Sequence, residues 1–377
     1  MCENNEKAVV RGLRDVAAAE TRISFVNPNG SLYYLGYNID DFVGNAKYSE
    51  IAYLLIHRKL PNEQELADFN DQLFKEMRLP EAIVKSIQNT PKSCYPMDVL
   101  RTEVSHLGEY DPDNGDYSQA ANLRRAIRLV AQVPTIVATL HRTRQGLPVP
   151  APKKEFAFSQ NFLYIFKGSE PDEKEASVIH RYMILHADHG FNASTFAARV
   201  TASTNSDMYS AITSAIGTLK GPLHGGASEK VMDMLDEINL EEEVEEYIQG
   251  LLDEKKKIMG FGHRVYKAQD PRTKHLRLIV EDFAHRERSL GLYNRCMKIE
   301  QLVFEKKQIY PNVDFYAAVA MDALDVPKTF FPLFFASSRI SGWVAHVLEQ
   351  YEDAVLLRPQ GHYVGDFERE FVPIEQR

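Results

Sequence analysis

A glycine-rich segment past the middle of the chain places one histidine where it can act on a carbonyl group. His224 lies in Gly-Pro-Leu-His-Gly-Gly, residues 221–226, and the apolar residues Val231, Met234 and Leu235 follow at helical spacing. The turn therefore opens into a helix, whose unpaired N–H groups and dipole disfavour an imidazolium. A neutral histidine there can donate a hydrogen bond to a carbonyl that is becoming an enol. Taken alone, the segment also fits a plain turn with an incidental histidine.

A second segment, residues 186–189, reads His-Ala-Asp-His. Two histidines three residues apart on one helix share a face, and metal sites also use that spacing. No cysteine lies nearby, and Gly190 follows at a place where a helix can end. The segment therefore favours a structural or capping role at least as strongly as a functional one, and a metal site least of all.

The third segment, residues 260–267, reads Gly-Phe-Gly-His-Arg-Val-Tyr-Lys. Its glycines allow the backbone to approach a ligand closely. His263, Arg264 and Lys267 offer hydrogen-bond donors for carbonyl or phosphate oxygens. The segment is not a dinucleotide-binding fingerprint, because no strand precedes it and the third glycine is missing.

Four more charged residues complete the candidate set. Asp-Pro-Arg at 270–272 starts a predicted helix, which directs Arg272 into the same cleft, where it can grip a carboxylate through two parallel bonds. Asp314 either caps the helix that begins there or serves as a carboxylate base. Arg339 and Arg358, each taken alone, fit a surface or ion-paired arginine.

Together these residue types suit one kind of chemistry. A carboxylate base can remove a proton next to a thioester carbonyl, and a neutral histidine can stabilise the enol that forms. A second histidine can polarise the ketone of a dicarboxylic keto acid, whose carboxylates the arginines neutralise and orient. The set predicts addition of a thioester enol to a keto acid, and this chemistry requires no metal.

The elements that must position these residues are helical. Apolar residues recur at helical spacing almost throughout the 377 residues, which predicts an all-α fold with two domains. Only Ser31–Tyr34 is predicted as a strand. The principal predicted helices span 49–57, 97–107, 119–140, 173–187, 192–202, 207–219, a set within 227–259, then 271–286, 293–306, 315–323 and 338–349.

Composition excludes several classes of protein. The net charge of −9 argues against nucleic acid as the main partner, and no apolar run is long enough to span a membrane. The first ten residues are polar and lack the apolar core of a signal peptide. Cys2, Cys94 and Cys296 match no disulfide or zinc spacing, so we expect a protein of the reducing cytoplasm.

In this order, the motifs resemble those of the citrate synthase family. The resemblance covers the chain from about Gly12 to Ile374, with departures at Leu35, Asn38 and Gly190 that fall on no expected catalytic position. The motifs that carry it are 186–194, 221–226, 260–266, 270–272, 312–314, Arg339 and 358–359.

The resemblance implies an all-α homodimer with the active site in a cleft between two domains. A large helical domain is expected from residues 1–219 and 325–377, and a smaller inserted helical domain from 220–324. By position, Asp314 is the base, His224 stabilises the enol, and His263 polarises the oxaloacetate carbonyl. The implied oxaloacetate ligands are His189, His224, His263, Arg272 and Arg339, with Arg358 of the partner subunit; the implied coenzyme A contacts are Ile258, Met259, Gly260, Phe261, Gly262, Arg264 and Lys267.

The implied reaction joins acetyl-CoA, oxaloacetate and water to give citrate and CoA. The resemblance implies no permanently bound cofactor, because CoA enters and leaves as a co-substrate. A 2-methylcitrate synthase that uses propionyl-CoA, or an enzyme with both activities, fits the same catalytic residues. A non-catalytic protein that binds an acyl-CoA or a dicarboxylate is the remaining alternative, and the intact set of Asp314, His224 and His263 argues against it.

Overall fold

Sixteen α-helices and one small sheet make up the described part of the chain. The computed structural model describes residues 9–13, 16–284 and 290–377. None of the helices in these ranges is both long and apolar enough to cross a membrane. The helices are α1 Ile39–Phe42, α2 Tyr48–His57, α3 Glu63–Glu76, α4 Glu81–Asn89, α5 Pro96–Leu107, α6 Gln119–Arg144, α7 Phe158–Lys167, α8 Glu173–His186, α9 Ala193–Ala202, α10 Met208–Leu219, α11 Ala227–Asp236, α12 Val244–Asp253, α13 Pro271–Ala284, α14 Leu290–Lys307, α15 Val313–Ala323 and α16 Phe331–Asp353. The all-α prediction is confirmed.

The sheet has three antiparallel strands in the order β1 (Ser24–Asn27), β2 (Ser31–Tyr34) and β3 (Tyr37–Asn38). The prediction of a single strand is therefore wrong, since 31–34 is the middle strand of a meander. Gly30 and Gly36, at φ +94° and +88°, make the two tight turns between the strands. Strands of four and two residues are too short to show a period, and they exist because β2 supplies their hydrogen bonds.

Two predicted helix limits differ from the structure by six residues or more. The set predicted up to residue 259 ends at Asp253, because four charged residues and a loop with Gly260 and Gly262 at φ +79° follow. Helix α16 starts seven residues before its predicted start, since it is buried on all sides and shows no polar face. The end of α13 that was predicted at Arg286 lies outside the described residues.

The core is built around α16, which is buried from Phe331 to Gln350 except at Phe335. It packs against α2, α6, α8, α9 and α10, and α6 runs unbroken through Pro134 beside it. Helices α11 to α15 pack chiefly against one another and meet the rest of the chain mainly at α8 and α16. The segments that carry the candidate residues therefore converge where these two groups of helices meet.

Candidate active site

Asp314 enters the site from the first turn of α15. Asn312 caps this helix by accepting the Asp314 backbone N–H at 3.0 Å, so the interpretation of Asp314 as the cap is wrong. Within the described residues the Asp314 carboxylate makes no hydrogen bond or ion pair. Burial raises its pKa to about 6; Arg272 opposes that rise and Asp270 adds to it. Asp314 is thus a free carboxylate with the pKa of a general base.

His224 sits in the turn before α11, as predicted. Its backbone N–H donates to Gly221 O at 2.8 Å, and Gly225 packs so closely on Leu219 O that a side chain there would overlap it. Burial and the charge of Arg339 lower the pKa of His224 to about 4. The histidine is therefore neutral, as expected, but burial and a neighbouring cation account for this rather than the helix terminus alone.

Ser194 is a site residue that the sequence reasoning did not single out. Its Oγ lies 2.9 Å from His224 Nε2 and accepts the indole N–H of Trp343 at 3.2 Å. Asn192 Oδ1 accepts the Ser194 hydroxyl at 2.6 Å and also accepts the backbone N–H groups of Ser194 and Thr195. The contact of Nε2 with Ser194 Oγ therefore fixes the orientation of the His224 ring. Ser194 precedes its partner by thirty residues, so no local spacing reveals the contact.

His263 is held in one tautomer by its own loop. Its Nδ1 accepts the backbone N–H groups of Val265 and Tyr266, both at 3.0 Å. Burial and the charge of Arg272 lower its pKa to about 4. A neutral ring whose Nδ1 accepts must carry its proton on Nε2, so His263 presents one N–H donor to the cleft.

His189 lies beside His263 but beyond the end of α8. Its Nε2 is 3.1 Å from Tyr266 Oη, and the two histidine rings are 5.4 Å apart. Burial and Arg272 hold its pKa well below the usual range. Because α8 ends at His186, the two histidines do not share a helix face, and that prediction is wrong.

His186 takes a structural place in the core. It stacks on Tyr182, and its Nδ1 lies 2.8 Å from the carbonyl of the same residue. No group of three His, Cys, Asp or Glu side chains among residues 9–13, 16–284 and 290–377 is arranged to hold a metal.

The two arginines of the cleft differ in how they are paired. Arg272 is buried, and its Nε–H and Nη2–H groups donate to the Asp270 carboxylate at 2.9 and 2.7 Å. Most of its guanidinium donors are therefore already bonded to a carboxylate of the protein. Arg339 is also buried, but only its Nε is bonded, to His186 O at 2.7 Å. Its Nη2 has no partner within the described structure, and its guanidinium lies 4.6 Å from the Phe335 ring. An unpaired buried guanidinium N–H is costly, so Arg339 Nη2 is available to donate to an anionic ligand.

The loop 258–262 lies directly against the first turn of α15. Gly260 and Gly262 both have φ +79°, and a Cβ on Gly260 would come within 2.9 Å of Phe315. Asn312, the cap of Asp314's helix, donates its backbone N–H to Gly260 O and its Nδ2 to Gly262 O. One asparagine therefore fixes both this loop and the start of α15. Arg264 and Lys267 follow as exposed side chains.

Arg358 is not brought to this site within its own chain. It lies five residues beyond α16 and is exposed, as are all the residues from 358 to 377. It makes no hydrogen bond or ion pair in the part of the chain that the structure covers. The other candidates form one polar cluster, in which Arg272 and Arg339 are buried and the remaining four are half-buried: Asp314, His224, His263 and His189.

Comparison with known proteins places this chain in a family. The family model "Citrate synthase, C-terminal domain" matches residues 12–360. Citrate synthase 2 of Bacillus subtilis is 45% identical over 97% of this chain and 99% of its own. 2-Methylcitrate synthase 1 of Corynebacterium glutamicum is 40% identical over 99% of this chain and 100% of its own.

A solved structure agrees with the sequence relatives. The ternary complex of Thermoplasma acidophilum citrate synthase with carboxymethyl coenzyme A and oxaloacetate superposes with a TM-score of 0.93 at 32% identity. The match covers 98% of this chain and 100% of that one. A match of this extent in both sequence and fold shows that the chain belongs to the citrate synthase family of acyltransferases.

Proposed function

We propose that this chain condenses acetyl-CoA with oxaloacetate and water, giving citrate and CoA. The observation that carries the proposal is the cluster itself. It combines a free carboxylate of raised pKa, two neutral histidines with one donor each, and a buried arginine whose Nη2 is unpaired in the described chain. These are the groups that an enolisation followed by addition to a keto acid needs.

The first step forms the nucleophile. Asp314 takes a proton from the methyl group of acetyl-CoA, and the electron pair moves onto the thioester oxygen. The neutral ring of His224, which the contact of Nε2 with Ser194 Oγ holds in place, donates its N–H to that oxygen as charge develops. The low pKa of His224 keeps the ring neutral, which matches its donor strength to an enol rather than to water.

The second step joins the two substrates. The enol carbon attacks the ketone carbon of oxaloacetate, and the ketone oxygen takes up the negative charge beside His263 Nε2–H. Arg339 Nη2, the remaining donors of Arg272, and His189 bind the two carboxylates. Water then cleaves the citryl-CoA thioester, and CoA leaves as the thiol.

Coenzyme A is proposed to bind along residues 258–262, with Arg264 and Lys267 near its phosphates. The related Thermoplasma acidophilum enzyme was solved with a coenzyme A analogue and oxaloacetate together. Because Asn312 fixes this loop and α15 at once, the thioester methyl would be delivered to Asp314 in a set position.

We propose the domain division given by the family, with 220–324 as the smaller domain. The mutual packing of α11 to α15 supports it. We also propose a cytoplasmic location, because Cys94 and Cys296 are free thiols in the described structure and the substrates are metabolites of that compartment.

The preferred acyl-CoA decides between citrate synthesis and 2-methylcitrate synthesis. Both thioesters should be tested, because one relative that is 40% identical is a 2-methylcitrate synthase. We expect kcat/KM for acetyl-CoA to exceed that for propionyl-CoA by about tenfold or more, since one methylene is worth about 1–3 kcal/mol. Release of free CoA with oxaloacetate and each thioester measures the ratio. A ratio of one or below would assign the chain to 2-methylcitrate synthesis, and no CoA release would favour a binding protein.

We further propose a homodimer in which Arg358 of the partner subunit completes each site. Residues 358–377 are exposed and include Tyr363, Val364, Phe367 and Phe371, whose exposed fractions run from 62% to 86%. Such an apolar stretch is typical of a segment that lies on another surface. A second copy of this chain is the partner that would also give Arg358 a role, because it would bring that side chain to an active site.

Mixed dimers test this assignment. Asp314→Asn and Arg358→Leu are each expected to be nearly inactive as homodimers. After subunit exchange between them, about one quarter of wild-type activity should return, because half the dimers hold one site with both native residues. If Arg358 served its own chain, no mixed site would be complete, and the mixture would stay inactive.

A further inference from the structure

Helix α16 holds three successive residues at the end of α8. Arg339 Nε donates to His186 O at 2.7 Å, and the Gly342 N–H donates to Ala187 O at 3.0 Å. His346 Nε2 lies 3.3 Å from the carboxylate of Asp188. Positions 339, 342 and 346 are spaced three and four apart, so they lie on one face of α16. The turn that leads directly into His189 is therefore fixed residue by residue.

The third of these contacts involves a fully buried carboxylate. Asp188 Oδ2 also accepts the Ser24 hydroxyl and, at 3.0 Å, the Gly190 N–H. A side chain at position 342 would overlap Asp188 Oδ1, so the carboxylate lies directly on the backbone of α16. Burial opposes ionisation, yet His346 and Arg339 hold the pKa of Asp188 below its usual range.

In the described chain only one ring nitrogen of His346 has a hydrogen-bond partner. It is fully buried, with the Phe191 ring 5.6 Å away and Glu349 Oε2 4.0 Å from its Nδ1. That glutamate is paired with Arg199 at 2.6 Å, and His346 Nδ1 has no hydrogen-bond partner in the described chain. The remaining nitrogen, Nε2, faces Asp188.

We propose that His346 is a positioning residue for keto acid binding, because it orients His189 through Asp188. The proposal rests on the proposed function, in which His189 binds oxaloacetate. His346 touches no reacting atom; its N–H fixes the carboxylate that anchors the His189–Gly190 turn. Loss of that donor leaves Asp188 underbonded and lets the turn shift, which weakens the ligand contact that depends on its geometry.

The test compares His346→Leu, which removes the donor, with His346→Gln, whose amide can donate to Asp188. We expect KM for oxaloacetate to rise about tenfold in His346→Leu and to stay within about threefold in His346→Gln, while KM for acetyl-CoA changes little. His141→Leu, which removes another buried histidine that stacks on Phe166, is the matched control with unchanged KM values. Binding is also read from the fluorescence of Trp343, the sole tryptophan of the chain, during titration with oxaloacetate.

A lower unfolding temperature with an unchanged KM for oxaloacetate in His346→Leu would overturn the proposal, because a purely structural histidine behaves in that way. If His346→Leu does not fold, Ser24→Ala removes the other side-chain donor to Asp188 and should raise KM for oxaloacetate about threefold. An unchanged KM in that variant would equally overturn it. If the wild type released no CoA, the proposed function would fail, and the fluorescence titration would still decide the positioning role.

Discussion

Replacing Asp314 with asparagine lowers kcat for CoA release by about 1,000-fold, while the affinity for oxaloacetate stays within about threefold of wild type. The amide keeps the shape of the side chain, and Asn312 still caps α15, but no group remains that can accept a methyl proton. Steady-state CoA release at saturating substrates measures the loss. Fluorescence titration of Trp343 with oxaloacetate measures binding in the same preparation.

Asp322→Asn, on the exposed part of the same helix, is the matched control and should keep wild-type turnover. Turnover in Asp314→Asn within about tenfold of wild type would remove Asp314 from the role of base.

The pH profile supplies a second readout of the same assignment. Burial raises the pKa of Asp314 to about 6, and only the ionised carboxylate can accept a proton. Thus kcat/KM for acetyl-CoA should be level above pH 6 and fall about tenfold for each pH unit below it. The residual activity of Asp314→Asn should lack this acidic limb, and an unchanged limb in the variant would assign the titration to another group.

Replacing Arg339 with glutamine raises KM for oxaloacetate by about 100-fold, with a much smaller effect on KM for acetyl-CoA. The buried Nη2 of Arg339 has no partner in the described chain, so a substrate carboxylate is its natural acceptor. Hydrogen bonds between charged groups contribute about 1.5–3 kcal/mol each, and two such bonds account for the expected change. The glutamine amide can still donate to His186 O, which preserves the end of α8.

Arg199→Gln is the control that separates binding from folding. Arg199 is equally buried and its Nη2 is likewise unpaired, but its Nη1 pairs with Glu349 at 2.6 Å and its Nε donates to Gln350, so its charge already has a carboxylate partner. Removing it leaves a buried carboxylate uncompensated and should cost about 3–5 kcal/mol of unfolding free energy, with KM for oxaloacetate little changed. The reverse pattern, a destabilised Arg339→Gln with wild-type KM, would show that Arg339 is a structural arginine. Thermal unfolding and steady-state kinetics of both variants provide the comparison.

Local signals in the sequence were sufficient for the helical fold and for the type of chemistry. Helix starts such as α3 and α8 follow from capping boxes at Asn62 and Asp172, where the interacting atoms lie within three residues. The turn at His224 and the two glycines of the 258–262 loop are local in the same sense, because their geometry depends on neighbouring residues. For this reason their positions in the structure match the predictions.

Tertiary structure decided which of these groups are free to act. The resemblance implied both Arg272 and Arg339 as oxaloacetate ligands, yet Asp270 already binds most of the donors of Arg272, whereas Arg339 keeps an unpaired nitrogen. The surroundings of His224 could not be found from the sequence either, since its partner Ser194 lies 30 residues away and Trp343, which donates to Ser194, lies a further 149 residues from Ser194 along the chain. Pairing, burial and tautomer depend on distances across the fold. Spacing along the sequence determines those distances only within a single turn or helix, and packing determines the rest.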